Sequence, residues 1–170
     1  MNMSALQPEA ETPDPVFAGS VTRIVSGGQT GADRAALDWA IGHGLPHGGW
    51  CPKGRLAEDG TIDGRYALQE ARTTDYLDRT RQNVIDSDAT LILNLGELNG
   101  GSQATQRFAE DLQKPCLVVQ LDAAAQADVD RVRSWLTAGR VAILNVAGPR
   151  ESKRPGIYRQ TLEFLNRLRA

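Results

Sequence analysis

Short apolar runs alternate along this chain with longer segments whose apolar residues recur at helical spacing. The run at 89–94 has its apolar residues in succession, as a strand buried on both faces would. Strands that alternate with helices form parallel sheets covered on both sides, so we predict a three-layer α/β sandwich with a mostly parallel sheet of about five strands. We expect strands near 21–26, 47–51, 89–94, 115–120 and 141–146, and helices near 32–43, 76–87, 103–113, 124–138 and 156–169.

The 170 residues are enough for one domain with an ordinary hydrophobic core. We assign residues 20–170 to a single ligand-binding domain. Residues 1–19 have few apolar anchors, and such segments cannot bury enough surface to fold. We therefore predict a disordered arm over 1–19, in which the prolines and acidic residues are Pro8, Glu9, Glu11, Pro13, Asp14 and Pro15.

Composition argues against several classes of function. The net charge of −2 and the pI near 5.7 leave no broad basic face for nucleic acid. No apolar run reaches the length of a membrane span, so we expect no membrane insertion. Cys51 and Cys116 are far apart and form no disulfide framework, which favours a reducing, cytoplasmic compartment.

A glycine-rich loop joins the first predicted strand to the first predicted helix. It contains Gly27, Gly28, Gln29, Thr30 and Gly31, and its spacing matches neither the dinucleotide fingerprint nor the P-loop. Glycines let the backbone approach a ligand, and the following helix points free N–H groups at the same place. We predict that this loop binds a phosphate or a similar anion. The alternative is a tight turn that needs glycine for its backbone alone.

A second glycine loop repeats the arrangement after the strand at 89–94. Gly100, Gly101 and Ser102 lead into a predicted helix, and we predict that they form a second wall of the same site. Ser102 is also a favourable N-cap residue, which is the structural alternative for it.

The long polar segment that follows the second strand carries two candidate cations. Lys53 and Arg55 could close over an anion, or could be ordinary solvated charges. Loops that follow parallel strands meet at one edge of the sheet, where such folds bind ligands. We therefore expect a convergence of the loops 26–33, 51–74, 94–102 and 147–155.

A metal site is not predicted. His43, His47 and Cys51 have metal-like spacing, but the glycines and proline between them break any helix that would align them. Cys51 could meet a soft ligand at the binding edge, or pack as a small buried residue.

The helix predicted at 76–87 places Arg79, Thr80 and Asn83 on one face, because residues three and four apart are helical neighbours. This face could point at the site or pack within the protein, and we favour the structural role.

No catalytic residue is assigned, because the signs of catalysis are few. The chain lacks the G-x-S-x-G nucleophile motif. Glu58, Asp59 and Asp63 could supply a general base, although acidic residues in a loop are usually solvated.

Six blocks of the chain carry a resemblance to a known family. They are Val25–Asp38, Gly49–Arg55, Glu58–Gly60, Arg79-Thr80 with Asn83-Val84, Ser87–Ile92 and Asn145–Ser152. Together they resemble the molybdenum cofactor carrier proteins of the SLOG superfamily, which also includes lysine-decarboxylase-like phosphoribohydrolases. The resemblance covers about residues 20–168. It implies a Rossmann-like fold, a homo-oligomer (dimer or tetramer) and a site for a phosphorylated pterin that carries molybdenum.

The chain departs from the phosphoribohydrolases at their P-G-G-x-G-T-x-x-E motif. The corresponding stretch, Asn99–Thr105, lacks the leading proline and the motif's glutamate. This departure argues against hydrolysis of nucleoside monophosphates.

Our leading hypothesis is therefore a binding protein that holds the molybdenum cofactor, protects it or delivers it, with molybdoenzymes as recipients. Its predicted contacts are Gly27, Gly28, Gln29, Thr30, Gly31, Lys53, Arg55, Gly100, Gly101 and Ser102. The alternative is a nucleotide-binding sensor, or a hydrolase or transferase that acts on a nucleotide-like substrate.

Overall fold

A computed structural model describes residues 16–170. Its strands are β1 (Arg23–Val25), β2 (His47–Gly48), β3 (Trp50–Cys51), β4 (Leu56–Ala57), β5 (Gly60–Thr61), β6 (Gln69–Glu70), β7 (Ala89–Asn94), β8 (Cys116–Gln120) and β9 (Ile143–Ala147). Its helices are α1 (Ala32–Gly42), α2 (Tyr76–Ile85), α3 (Gly100–Asp111), α4 (Gln126–Ala138) and α5 (Ile157–Arg169). None of these helices is long and apolar enough to cross a membrane.

Five strands form one parallel sheet in the order β2-β1-β9-β7-β8. β9 lies in the middle, where Asn145 pairs with Val25 of β1 on one side and with Thr90 of β7 on the other. α1, α4 and α5 share the main hydrophobic core with the sheet, while α2 packs on α3, which contacts β7 and β8. The predicted Rossmann-like sandwich with a mostly parallel sheet of five strands is confirmed.

The strand order is a permuted form of a dinucleotide-binding sheet. Numbered along the chain, the strands of this sheet run 2-1-5-3-4. If β9 and α5 are moved to the front of the chain, the same sheet reads 3-2-1-4-5, the first five strands of the Rossmann order. The reversal of strand order then lies between β9 and β7. A ligand crevice is expected beyond the carboxyl ends of these two strands.

The ordered domain begins before the predicted boundary at residue 20. Phe17 is 2% exposed, and its ring centroid lies 4.6 Å from that of Trp39 in α1. Residues 17–19 thus differ from the predicted disordered arm, because burial of this aromatic side chain anchors them. The rest of that arm, residues 1–15, lies outside the described residues.

The predicted strand at 47–51 divides at Gly49 into β2 and β3. Gly49 has a φ of +124°, and a Cβ there would lie 2.2 Å from the carbonyl oxygen of Ser26. This close approach turns the chain out of the central sheet, and β3 pairs instead with β6.

The segment 52–74, predicted to be irregular, is ordered around one guanidinium group. Arg55 donates hydrogen bonds to the carbonyl oxygens of Ile62, Asp63, Tyr66 and Leu68, at 2.8–3.3 Å. Because these carbonyl groups are spread along the segment, a single side chain holds its path together. The hairpin of β4 and β5 lies within this segment.

Glu58 joins the same segment to two other loops. Its carboxylate accepts hydrogen bonds from the hydroxyl groups of Thr30 and Ser152, and from the Ser152 amide at 3.2 Å. Burial alone would raise the pKa of Glu58, but these hydrogen bonds outweigh burial, so its pKa lies below the ordinary value.

We expect Arg55→Gln to lower the free energy of unfolding by about 2 kcal/mol, because charged hydrogen bonds to several carbonyl groups are lost. Urea unfolding measures the change, and amide hydrogen exchange should locate it in segment 52–74. Lys53→Gln is the matched control, since Lys53 is exposed and surface substitutions usually change stability by less than about 0.5 kcal/mol. Equal losses in both variants would contradict a structural role of Arg55.

We expect the stability difference between the wild type and Glu58→Gln to depend on pH. A carboxyl group with a lowered folded-state pKa stabilises the fold above its unfolded pKa, and this contribution disappears as the pH falls through the folded pKa. The difference should be full near neutral pH and vanish in acid, below the ordinary value of 4.5. Urea unfolding at a series of pH values measures it, with Glu163→Gln on α5 as the control. A difference that is constant with pH would rule out the carboxylate as its source.

Candidate functional site

An open cleft lies at the carboxyl edge of the central sheet, where β9 and β7 end. Its volume is about 150 Å³, and its mouth is open to solvent. Four segments line it: the first glycine loop, the first two turns of α2, the second glycine loop with the start of α3, and the turn after β9. The loops after β1, β7 and β9 therefore converge, as predicted, whereas segment 52–74 contributes no lining residue.

The start of α3 presents unused backbone amides to the cleft. The helix begins at Gly100, three residues earlier than predicted, and Asn99 at its N-cap makes no side-chain cap hydrogen bond. Within the described residues, no acceptor takes the amide hydrogens of Gly100, Gly101 or Ser102. A helix N-terminus also carries a partial positive charge. These groups together can receive an anion.

Ser102 adds an unpaired hydroxyl group at the same place. The residue is 5% exposed and lines the cleft, and its Oγ has no hydrogen-bond partner in the described structure. The alternative prediction of an N-cap is wrong, because Ser102 is the third residue of α3 and Asn99 holds the cap position. A buried hydroxyl without a partner is unfavourable. A ligand acceptor in the cleft would remove that penalty.

Two cations from the turn after β9 also line the cleft. The Nζ of Lys153 lies 3.6 Å from the position that a Cβ on Gly100 would occupy. Arg150 lies near Glu58, with 3.9 Å between its Nε and a carboxylate oxygen. Sequence reasoning identified this loop as part of the binding edge but did not single out either residue.

A buried ion pair closes the opposite wall. The Nη1 of Arg79 donates to the carbonyl oxygen of Gly27 at 2.6 Å and lies 3.5 Å from Asp33 Oδ2. Burial raises the pKa of Asp33 and lowers the pKa of Arg79, although each charge partly offsets the effect on the other. A Cβ on Gly27 would lie 1.9 Å from this guanidinium, which explains the glycine.

The face of α2 that carries Arg79, Thr80 and Asn83, for which we favoured a structural role, both lines the cleft and stabilises the fold. Thr80 and Asn83 line the cleft with Arg79, but their polar groups also serve the fold. The Asn83 carboxamide accepts from the Trp50 amide at 2.8 Å and donates to the Trp50 carbonyl at 2.9 Å.

Two asparagines of the central sheet contribute polar groups: Asn94 is the last residue of β7, and Asn145 is the middle residue of β9. The Nδ2 of Asn94 donates to the carbonyl oxygen of Gly96 at 3.0 Å, and that of Asn145 donates to Thr90 Oγ1 at 3.2 Å. Each residue also lines the cleft. The recurrence of asparagine within two buried apolar strands is a sequence signal that could have identified them.

The first glycine loop contributes only part of its length to the cleft. Gly27 and Gln29 line it, whereas Gly28, Thr30 and Gly31 do not. A Cβ on Gly28 would lie 2.6 Å from Leu68 Cδ1, and one on Gly31 would lie 2.4 Å from the carbonyl oxygen of Pro149. These glycines let neighbouring loops pack closely, and the Ala32 amide at the start of α1 already donates to Pro149.

The remaining candidates lie away from the cleft lining. Lys53 and Arg55 belong to segment 52–74, where Arg55 is occupied by backbone carbonyl groups. Of the candidate acids, Glu58 joins loops, and Asp59 pairs with Arg34 at 2.9 and 3.1 Å.

Asp63 Oδ1, in turn, accepts from the Arg65 amide at 2.8 Å. His43 contacts Trp39, the Nε2 of His47 accepts from the Ala67 amide, and Cys51 is buried. Within residues 16–170, no group of three potential ligands surrounds a possible metal position.

Comparison with known proteins agrees with this architecture. The chain is 50% identical to a protein from Syntrophus aciditrophicus SB whose crystal structure is named "Putative molybdenum carrier protein". That similarity covers 89% of this chain and 97% of the other, with a TM-score of 0.87. Among curated proteins, nothing matches. The profile of the circularly permutated YpsA SLOG family matches residues 24–169, as the permuted strand order would lead one to expect. This chain belongs to the circularly permutated YpsA SLOG family.

Proposed function

We propose that this protein binds the molybdenum cofactor, a phosphorylated pterin, and protects or delivers it. The observation that carries the proposal is the set of unused donors at the start of α3, which comprises the amides of Gly100–Ser102 and the unpaired Ser102 hydroxyl. A phosphate accepts hydrogen bonds from such donors and is favoured by the helix terminus. The name of the Syntrophus relative supports molybdenum as the cargo.

The rest of the cleft suits the planar ring of a pterin. The ring carries N–H donors, and the side-chain oxygens of Asn94 and Asn145 receive no hydrogen bond from the described residues. Tyr76 is 40% exposed, and its Cε2 lies 3.8 Å from the position of a Cβ on Gly101. Its partly exposed ring therefore lies beside the proposed phosphate position, where a planar ligand can contact it.

The balance of charge in the cleft also favours an anionic ligand. The charged residues in the lining are three basic side chains, those of Arg79, Arg150 and Lys153, and one carboxylate, that of Asp33. Gly27 and Gln29 complete the wall opposite α3. The candidate acids Glu58, Asp59 and Asp63 lie outside the lining, so we propose binding rather than acid–base catalysis by these residues.

The partners, the oligomeric state and the compartment that we propose follow from this role. A carrier releases its cargo to a recipient, so we propose molybdoenzymes as partners and a homo-oligomer, a dimer or tetramer, as the working state. The unpaired cysteines, Cys51 and Cys116, suit a reducing cytoplasm. Light scattering of the purified protein measures the oligomer.

The direct test is equilibrium binding of the isolated cofactor to the purified protein under anaerobic conditions. Saturable binding, followed by transfer to a cofactor-free molybdoenzyme, would support a carrier. A nucleotide panel run beside it tests the sensor alternative. Tight nucleotide binding without cofactor binding would overturn the carrier proposal.

We expect Ser102→Ala to weaken cofactor binding by about tenfold, or about 1.4 kcal/mol, because one hydrogen bond to the phosphate is lost. The same change should raise the free energy of unfolding of the free protein by about 1 kcal/mol, because an unpaired buried hydroxyl is removed. Calorimetric titration and urea unfolding measure the two effects.

Ser134→Ala, at an exposed position on α4, is the matched control. It should leave cofactor binding unchanged and alter stability by less than about 0.5 kcal/mol. If Ser102→Ala lowers stability and leaves binding intact, Ser102 has a structural role and the assigned phosphate position is wrong.

A further inference from the structure

The turn after β9 offers two cations to the cleft from one short stretch of backbone. The amides of Lys153 and Arg154 donate to the carbonyl oxygen of Arg150, at 3.1 and 3.2 Å. As in one turn of a helix, this geometry brings side chains three residues apart onto one side. Arg150 and Lys153 both line the cleft from there.

The two cations have different neighbours in the cleft. Lys153 lies over the start of α3, with its Nζ 3.6 Å from the position of a Cβ on Gly100. Arg150 enters the cleft beside Glu58, with 3.9 Å between its Nε and a carboxylate oxygen. Burial lowers the pKa of Arg79, the charge of Asp33 offsets this effect, and the charge of Arg150 lowers that pKa further.

A single phosphate leaves one of these cations without a hydrogen-bond acceptor. Arg79 is paired with Asp33, and a phosphate at the start of α3 would pair with Lys153 and the helix terminus. The Arg150 guanidinium makes no hydrogen bond within residues 16–170, and its contact with Glu58, at 3.9 Å, is longer than a hydrogen bond. Its hydrogen-bond donors therefore remain available to the ligand.

We propose that the cleft selects a ligand with two linked anionic groups, a diphosphate attached to a planar heterocycle. The first group binds at Gly100–Ser102 beside Lys153, and the second binds the guanidinium of Arg150. This inference rests on the proposed function and its phosphate position, and it narrows the ligand to a pterin that is joined to a nucleotide through a diphosphate.

The test uses inorganic phosphate and pyrophosphate as probes, with the ¹⁵N-labelled protein followed by NMR. Both anions should shift the amide signals of Gly100 and Gly101, and pyrophosphate should bind at least about tenfold more tightly. Arg150→Gln should remove most of that preference and change phosphate affinity by less than about twofold. Arg159→Gln, which removes an exposed charge from α5, is the matched control and should keep the preference.

A second variant separates ligand contact from loop packing. Glu58→Gln disturbs the loop that Arg150 borders but leaves the guanidinium in place, so it should retain the pyrophosphate preference. The inference is overturned if Arg150→Gln retains the preference, or if Glu58→Gln loses it equally. Phosphate binding at Gly100 and Gly101 without any preference for pyrophosphate would refute the binding of a second anionic group at Arg150, but not the proposed phosphate position. No shift with either anion would also refute the proposed phosphate position.

Discussion

The central position of β9, the last strand of the chain, is the constraint on which the site depends. The carboxylate of Asp88 accepts hydrogen bonds from the amides of Ala142 and Ile143, at 2.9 and 2.8 Å, and so fixes where this strand enters the sheet. The strand then pairs with β1 and β7 on its two sides. Its carboxyl end therefore emerges between the two glycine loops, and the turn that follows brings Arg150 and Lys153 into the cleft.

Two glycine loops that look alike in the sequence have different surroundings in the fold. At the first loop, the Ala32 amide donates to Pro149, and the Gln29 amide lies 3.4 Å from an oxygen of Asp33. Internal acceptors thus already occupy part of the start of α1. At the second loop, no acceptor in the described chain reaches the first amides of α3. Since only unused donors can bind an external anion, the second loop is the stronger phosphate candidate.

The cleft keeps features that cost stability. Ser102 buries a hydroxyl without a partner, and Arg79 and Asp33 bury opposite charges whose desolvation is only partly offset by their contact. Such features are common where a protein binds something, because groups left unpaired in the free protein are available to a ligand. The rest of the fold, including the apolar strand β7 and the core around α1, α4 and α5, follows ordinary packing.

The sequence by itself determined the α/β class, the parallel sheet and most elements, because the continuous apolar run of β7 and the helical spacing of segments such as α2 are local signals. It also indicated which loops would share an edge. Only the tertiary structure decided which side chains face the cleft. Arg55 carries a positive charge as Lys153 does, yet four carbonyl groups from its own segment engage it, while Lys153 reaches across to α3. No local sequence pattern distinguishes the contacts of Arg55 from those of Lys153, because both depend on neighbours that only the tertiary structure brings together.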